Sequence, residues 1–201
     1  MKRLGLLGGT FDPVHCGHLV IAEEARVRLA LDEVRFIPAG QPPHKVGLPV
    51  SAAVHRLAMV RLAITHNPAF SLSTLEIERD GPSYTVDTLS RLRQQEGADC
   101  ELFFIVGGDA LPDLLTWRQP ERLLELAKLV VVRRPEVEPV NLAQLRAGLP
   151  ALNTKLTMLA GPQFAVSGTE LRQRVRQGLP IRYQVPEAVW AYIGQHGLYQ
   201  R

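Results

Sequence analysis

The fold of this chain is decided by one stretch near its start, Gly5-Leu6-Leu7-Gly8-Gly9-Thr10-Phe11-Asp12-Pro13-Val14-His15-Cys16-Gly17-His18. The apolar residues before the glycine pair predict a short buried strand, and apolar residues at helical spacing from 19 to 31 predict a helix. The glycines between them permit a sharp turn. A strand, a glycine turn and a helix form the first unit of a nucleotide-binding α/β fold. Such a turn directs backbone N–H groups and the positive end of the helix dipole toward an anion.

Two histidines flank the predicted start of this helix. His15 and His18 have Gly17 between them, so both rings can approach one anionic group, and Thr10 adds a hydroxyl just after the strand. The stretch has no Lys-Ser/Thr pair of the Walker type and no G-x-G-x-x-G motif. Histidines that only cap the helix are the alternative. Because both lie in one glycine-rich turn after the first strand, we favour phosphate binding.

The composition bounds the class of protein. The chain has 201 residues, of which 46% are hydrophobic and 21% are charged, as in ordinary globular enzymes. The net charge of +3 comes without a block of Lys or Arg and does not indicate nucleic-acid binding. Cys16 and Cys100 form no C-x-x-C motif, which is typical of a reducing cytosol. The sequence has no signal peptide and no apolar run that could span a membrane, so we expect a cytoplasmic protein.

The rest of the chain alternates between strand and helix patterns. Strands are predicted at 34–38, 101–106, 129–132 and 156–159, with 70–78 as one strand or two; helices are predicted at 52–65, 86–95, 110–115, from 168 onward and at 186–195. Residues 136–150 are expected to form a surface excursion. With no repeat and no linker, we predict one α/β domain over residues 1–201, a Rossmann-like doubly wound parallel sheet with C-terminal helices. The second strand ends in Pro38-Ala39-Gly40 without a carboxylate, which argues against a dehydrogenase.

Polar residues follow several of these strands, where ligands bind in doubly wound sheets. Candidate ligand-binding groups are Lys45, the glycines and carboxylate of Gly107-Gly108-Asp109, the indole of Trp117, and the guanidinium pair of Arg133 and Arg134. A surface lysine, a helix-capping aspartate and a core tryptophan are the alternatives. A helix is predicted to start at Tyr84 and Thr85 with Ser83 as its cap, so that the N–H groups of Tyr84 and Thr85 can face an anion. Ser167-Gly168-Thr169 starts another, with Glu170 completing a capping box and Arg172 one turn in.

These motifs together resemble those of the bacterial nicotinate-nucleotide adenylyltransferases. The resemblance is carried, in this order, by GGTFDPVHCGH at 8–18, PPHK at 42–45, PSYT at 82–85, GGD at 107–109, TW at 116–117, RRP at 133–135, SGT at 167–169 with Arg172, and YI to GLY at 192–199. The H-x-G-H element alone is shared by a whole superfamily of nucleotidyltransferases. What the resemblance implies is transfer of AMP from ATP to nicotinate mononucleotide, giving nicotinate adenine dinucleotide and pyrophosphate.

The resemblance also implies roles for individual residues. His15, His18 and Arg172 would be catalytic and would hold the ATP phosphates. The ATP site would include Gly8, Gly9, Thr10, Phe11, Gly107, Asp109, Ser167 and Thr169, with Asp109 at the adenosine ribose. The mononucleotide site would include Lys45, Tyr84, Thr85, Trp117 and Arg134, with Trp117 stacked on the pyridine ring. Two positions depart from the pattern, because Gly168 stands where many relatives have a second serine and Arg118 stands where an aromatic residue is sometimes found.

The chemistry of this reaction suits the residues. The attacking phosphate is already anionic, so catalysis reduces to alignment and charge stabilisation. No carboxylate cluster suited to Mg²⁺ is apparent, and we expect the ion to arrive with ATP. The expected partners are ATP and nicotinate mononucleotide, with no nucleic acid or membrane, and a homo-oligomer is left open. Adenylyl transfer to nicotinamide mononucleotide or phosphopantetheine, and a non-catalytic nucleotide sensor, are the alternatives.

Overall fold

Six strands lie side by side in one parallel sheet. The computed structural model describes residues 1–42, 49–133, 141–161 and 166–200. Within these ranges the strands are β1 (Lys2–Gly9), β2 (Glu33–Pro38), β3 (Phe70–Leu72), β4 (Cys100–Gly107), β5 (Lys128–Arg133) and β6 (Leu156–Ala160). Their order is β3-β2-β1-β4-β5-β6, and each neighbouring pair is parallel. This is the strand order of a Rossmann-like doubly wound sheet, as predicted.

Helices cover both faces of the sheet. In the described part of the chain they are α1 (Cys16–Arg28), α2 (Ala53–Ile64), α3 (Thr85–Glu96), α4 (Pro120–Leu126), α5 (Leu142–Gly148), α6 (Leu152–Lys155), α7 (Gly168–Arg176) and α8 (Glu187–Gln195). None of these helices is long and apolar enough to cross a membrane.

The alternation of side chains along the strands produces two cores. Leu7 and Phe103 pack with α1, α2, α7 and α8, whereas Leu6 and Phe104, one residue along, pack with α3 to α6. Successive side chains of a strand point to opposite faces, so strands covered on both sides are apolar throughout. This explains why the runs in β1, β4 and β5 show no polar alternation. The first and last helices of the chain share one core.

The side of β1 on which the chain adds new strands changes between β3 and β4. From β1 the chain proceeds outward to β2 and β3, and it then returns to place β4 on the other side of β1, where Lys2 lies opposite Cys100. The crossovers on either side of this point diverge, which leaves a crevice beyond the carboxyl ends of the two strands. Ligands of open α/β sheets bind in such a crevice.

Three sequence predictions differ from the structure. Two short 3₁₀ helices, Gly108–Ala110 and Leu114–Thr116, replace the predicted α-helix at 110–115, and the backbone N–H groups of Leu111 and Trp117 bond three residues back instead of four. The predicted strand at 70–78 ends at Leu72, and a turn at 74–78 follows. The predicted surface excursion contains α5, which places Leu145 and Leu149 in a core.

Candidate active site

A cavity of about 390 Å³ opens at the crevice between β1 and β4. Its floor is formed by the carboxyl ends of β1, β2 and β4, and its walls by the first turns of α1 and α3 and the segment after β4. The sequence-predicted residues that line it are Gly8, Gly9, Thr10, His18, Tyr84, Thr85, Gly107, Asp109 and Trp117. Residues that lie more than a hundred positions apart in the sequence thus share one cavity.

The β1–α1 loop, residues 10–15, delivers the two histidines to this cavity in different ways. His15 is the N-cap of α1 and is only 3% exposed, whereas His18, in the first turn, lines the cavity. Their rings stack with centroids 3.7 Å apart, and the ring of Phe11 meets His18 edge-on at 4.9 Å. The side chain of Phe11 is buried and does not line the cavity, so the predicted role of Phe11 at ATP stays a prediction for its backbone alone.

The hydrogen bonding of His18 defines which of its nitrogens can donate. Its Nδ1 accepts the backbone N–H of His15 at 3.2 Å, so the histidine caps its own helix. In a neutral ring whose Nδ1 is an acceptor, the proton is assigned to Nε2. The ring therefore offers an N–H donor, the group that a phosphate oxygen requires. Helix capping and phosphate binding, which the sequence analysis treated as alternatives, are compatible in this residue.

The start of α7 meets the same loop from the far end of the chain. The guanidinium of Arg172 donates to the carbonyl oxygen of Asp12 at 2.6 Å and to the hydroxyl of Thr169 at 3.2 Å. A Cβ on Gly168 would lie 3.3 Å from that carbonyl oxygen, so the glycine permits close contact. Ser167, Thr169 and Arg172 stand beside the loop but do not line the cavity. Ser167 is the N-cap residue of α7, but its side chain makes no capping hydrogen bond. The predicted capping box of Ser167 and Glu170 is therefore wrong.

The N-terminus of α3 forms the opposite wall. Tyr84 is its N-cap and Thr85 its first residue. The predicted cap, Ser83, instead accepts hydrogen bonds from the backbone N–H groups of Gly40 and Gln41 at 3.0 and 3.2 Å. Ser83 thus joins the end of β2 to the start of α3. Because Tyr84 and Thr85 line the cavity, the N-terminus of α3 with its first N–H groups lies beside the cavity.

Trp117 and Arg118 complete the wall beside α3. The indole meets the ring of Phe104 edge-on at 6.1 Å and lines the cavity, so it is half-buried. The guanidinium of Arg118 lies 4.6 Å from the centre of the Tyr84 ring and 3.7 Å from the carboxylate of Asp87. Arg118 also lines the cavity. An aromatic plane and a cation therefore lie next to each other at this end.

Asp109 projects into the cavity from the first 3₁₀ helix. A Cβ on Gly107 would overlap the Asp109 carboxylate in its present position, so a side chain at residue 107 would make that carboxylate turn away. Lys45 and Arg134 lie outside the described residues.

A second carboxyl group, which no sequence pattern indicates, lies in the cavity. Glu76 is 7% exposed, lines the cavity and accepts the hydroxyl of Thr88 at 2.6 Å. Burial raises the pKa of Glu76, and the hydrogen bonds from Thr88 and Ser83 act in the opposite direction. The strand predicted at 70–78 would place Glu76 in the sheet, whereas the strand ends at Leu72. In the ranges that the structure describes, no group of three or more His, Cys, Asp or Glu residues could hold a metal ion.

The sequence and the fold were compared with known proteins. The cytidylyltransferase-like family model matches residues 6–174. A probable nicotinate-nucleotide adenylyltransferase of Roseiflexus sp. is 53% identical over 197 residues, covering 98% of each chain. A probable nicotinate-nucleotide adenylyltransferase of Thermomicrobium roseum is 48% identical over 200 residues, covering 100% of this chain and 92% of its own.

Solved structures share the fold at low sequence identity. The Plasmodium falciparum nicotinic acid mononucleotide adenylyltransferase complexed with NaAD superimposes with a TM-score of 0.80 and 17% identity, over 99% of this chain and 98% of that one. The same enzyme complexed with APC gives a TM-score of 0.79.

Proposed function

This chain belongs to the cytidylyltransferase-like family, in the branch of the bacterial nicotinate-nucleotide adenylyltransferases, and we propose that it transfers AMP from ATP to nicotinate mononucleotide. The products are nicotinate adenine dinucleotide and pyrophosphate. The observation that carries the proposal is the lining of one cavity by His18, in the first turn of α1, and by Tyr84 and Trp117 at its other end. A site for a triphosphate and a site for a flat ring adjoin there.

The reaction is a displacement at the α-phosphorus of ATP. An oxygen of the mononucleotide 5′-phosphate forms a bond to that phosphorus, and the bond from it to the bridging oxygen of the β-phosphate breaks. The electron pair of that bond leaves with pyrophosphate. Because the attacking oxygen is already anionic, the protein needs no nucleophile of its own. Its contribution is to align the two phosphates and to stabilise the charge on the departing group.

The ATP phosphates would lie between the two chain-distant elements that meet at the β1–α1 loop. The Nε2–H of His18, the N–H groups of the loop and the N-terminus of α1 offer donors from one side. Arg172 and the hydroxyls of Ser167 and Thr169 offer donors from the other. His15 acts mainly through its stack on His18, because it is buried. Asp109 would accept the ribose hydroxyls.

The nicotinate mononucleotide would occupy the end of the cavity near α3. Its pyridine ring would lie on Trp117, and its carboxylate would accept the N–H groups of Tyr84 and Thr85 at the helix N-terminus. Arg118 adds a cation that would attract the same carboxylate. Roles for Lys45 and Arg134 at this mononucleotide stay predictions.

Nucleotidyltransferases of this kind use a divalent metal with ATP, and we propose Mg²⁺. The ion would enter as the MgATP complex, since the described side chains include no three-ligand cluster. It would neutralise charge on the phosphates. We further infer that residues 1–201 work as one nucleotidyltransferase domain, because helices from both ends of the chain share one core. A cytoplasmic location stays a prediction, and the oligomeric state stays open.

The test is pyrophosphate release from MgATP with three acceptors in parallel, namely nicotinate mononucleotide, nicotinamide mononucleotide and phosphopantetheine. The proposal expects the highest kcat/KM with nicotinate mononucleotide and a product of the mass of nicotinate adenine dinucleotide. A higher kcat/KM with another acceptor would contradict nicotinate mononucleotide as the substrate. ATP binding without turnover of any acceptor would indicate a non-catalytic nucleotide sensor.

A further inference from the structure

Asp12 of the β1–α1 loop and two polar side chains next to the loop are buried or half-buried and do not line the cavity. We call Asp12, Arg56 and Tyr199 the loop brace. Asp12 is 5% exposed and Arg56 is 2% exposed, and Arg56 is the largest of the fully buried side chains in the described part of the protein. A buried charged group is costly unless it is paired, so its retention calls for a reason.

The carboxylate of Asp12 is held on both oxygens by distant parts of the chain. Its Oδ1 accepts the hydroxyl of Tyr199 at 2.6 Å, and its Oδ2 accepts the backbone N–H of Ser51 at 3.1 Å. Burial and the bond to Asp12 raise the pKa of Tyr199 far above its ordinary value, so the phenol stays a donor. The carboxylate is therefore engaged by the protein.

Arg56 fixes the backbone of the same loop. Its Nη1 donates to the carbonyl oxygen of Thr10 at 2.9 Å, and its Nε donates to the carbonyl oxygen of Ser51 at 3.0 Å. In a trans peptide the following N–H points opposite to the carbonyl. When Thr10 directs its oxygen at Arg56, the N–H of Phe11 is directed away from Arg56. Thr10 lines the cavity and Arg56 does not.

The brace also compensates charge. An anionic Asp12 in a loop that receives phosphates would repel them if it stood alone. Burial lowers the pKa of Arg56. The nearby Asp12 carboxylate raises it in part, so the two charges partly compensate each other. The carbonyl of Asp12 is bound by Arg172, so both arginines fix peptide oxygens of this loop.

We propose that Asp12, Arg56 and Tyr199 are positioning residues that orient the N–H groups of the β1–α1 loop toward the ATP phosphates while touching neither substrate. The inference rests on the proposed function for the identity of those phosphates. A brace of this kind acts on the ATP half of the site. The mononucleotide half, built on α3 and Trp117, has no hydrogen bond to the brace among the described contacts.

The experiment compares two conservative variants. Tyr199→Phe removes the hydroxyl that binds Asp12. Tyr192→Phe, its matched control, removes a hydroxyl that lies 3.0 Å from Nδ1 of His55 and has no bond to the loop. We expect Tyr199→Phe to weaken ATP affinity and kcat/KM for ATP about tenfold, with KM for the mononucleotide unchanged. Tyr192→Phe should leave all of these within about twofold.

A second variant guards against a folding effect. Arg56→Lys keeps the charge but lacks the planar fork that reaches two carbonyl oxygens, so it should reproduce the ATP-selective loss. Far-ultraviolet circular dichroism and thermal melting check that each variant is folded. Equal ATP affinity in Tyr199→Phe and Tyr192→Phe, or a loss shared equally by both substrates, would overturn the brace.

The two proposals fail separately. Absence of pyrophosphate release by the wild-type protein would overturn the proposed reaction. ATP affinity, measured by calorimetry without mononucleotide, would still test whether the brace orients the loop.

Discussion

His15 and His18 are stacked, with their ring planes 29° apart, yet they differ in access to the cavity. Only His18 of this pair lines the cavity, and its Nε2 is the donor, because Nδ1 is engaged by the backbone of His15. The two histidines of the H-x-G-H motif therefore differ in position. The buried ring of His15 stacks on the ring of His18, and the ring of His18 faces the cavity.

The first prediction concerns His18. His18→Ala should lower kcat about 10²- to 10³-fold, the usual loss when one donor to a developing charge is removed. The lost helix cap should cost about 1 kcal/mol of stability, so the variant stays folded. His66→Ala, at an exposed position after α2, is the control and should keep full activity. Steady-state pyrophosphate release measures both. Near-normal turnover of His18→Ala would count against the assignment of its role.

The second prediction concerns Arg118, the cation beside the Tyr84 ring. If its guanidinium attracts the nicotinate carboxylate, Arg118→Met should lower kcat/KM about fivefold for nicotinate mononucleotide and leave nicotinamide mononucleotide unaffected. The effect is modest because Arg118 is exposed and already lies near Asp87. Arg122→Met, on the surface of α4, is the matched control. An equal loss for both mononucleotides would mean that Arg118 does not read the acid group.

The third prediction uses the raised pKa of Glu76. In the folded protein the Glu76 carboxyl group keeps its proton at pH values where the same group in the unfolded chain has lost it. The free energy of unfolding of the wild-type protein therefore falls as the pH rises from the ordinary pKa of Glu through the raised pKa of Glu76. Glu76→Gln cannot ionise. Its free energy of unfolding relative to wild type should therefore increase between about pH 4 and about pH 8. Urea denaturation at both pH values measures this, with Glu170→Gln on exposed α7 as the control. A difference that is constant with pH would contradict the burial argument.

The fourth prediction compares one substitution at two glycines. A Cβ on Gly40 would overlap the carbonyl oxygen of Glu76 and stand 3.2 Å from the hydroxyl of Ser83. Gly40→Ala should therefore destabilise the protein by about 1–3 kcal/mol and displace the start of α3. A Cβ on Gly194, within α8, would meet no atom within 4 Å. Gly194→Ala should stabilise by about 0.5–1 kcal/mol. Urea denaturation that gives both variants the same sign would refute the close approach at Gly40.

Local signals in the sequence were sufficient for the sheet and for one side of the site. The apolar run and glycine pair of β1 and the apolar run of β4 favour strands because both runs are short and end at glycines. The doubly wound parallel arrangement then followed from the general rules for alternating strands and helices. His18, Tyr84 and Asp109 were identified because each follows a strand or starts a helix. Their roles stay predictions, although the structure brings them to one cavity.

Long-range contacts were beyond a local reading of the sequence. Tyr199 meets Asp12 across 187 positions and Arg172 meets it across 160, and no periodicity announces either partner. Ser83 and Ser167 looked like helix caps because of their place in the sequence. Ser83 binds the end of β2 instead, since tertiary contacts outweigh a capping preference of about 1 kcal/mol. Arg56 lies in a helix that the sequence predicts, but its burial and its bond to the carbonyl oxygen of Thr10 depend on a segment 46 positions away.

The central position of β1 has a consequence for the order of folding. Residues paired between β1 and β2 are about thirty positions apart in the sequence. Residues paired between β1 and β4, such as Lys2 and Cys100, are separated by nearly half of the chain. Pairings of such long range close late, because the entropy of the intervening chain must first be lost. We therefore expect the crevice between β1 and β4 to be among the last features to form. An intermediate that has gathered only one half of the sheet has nowhere to hold a nucleotide, so ATP stabilises the completed fold alone.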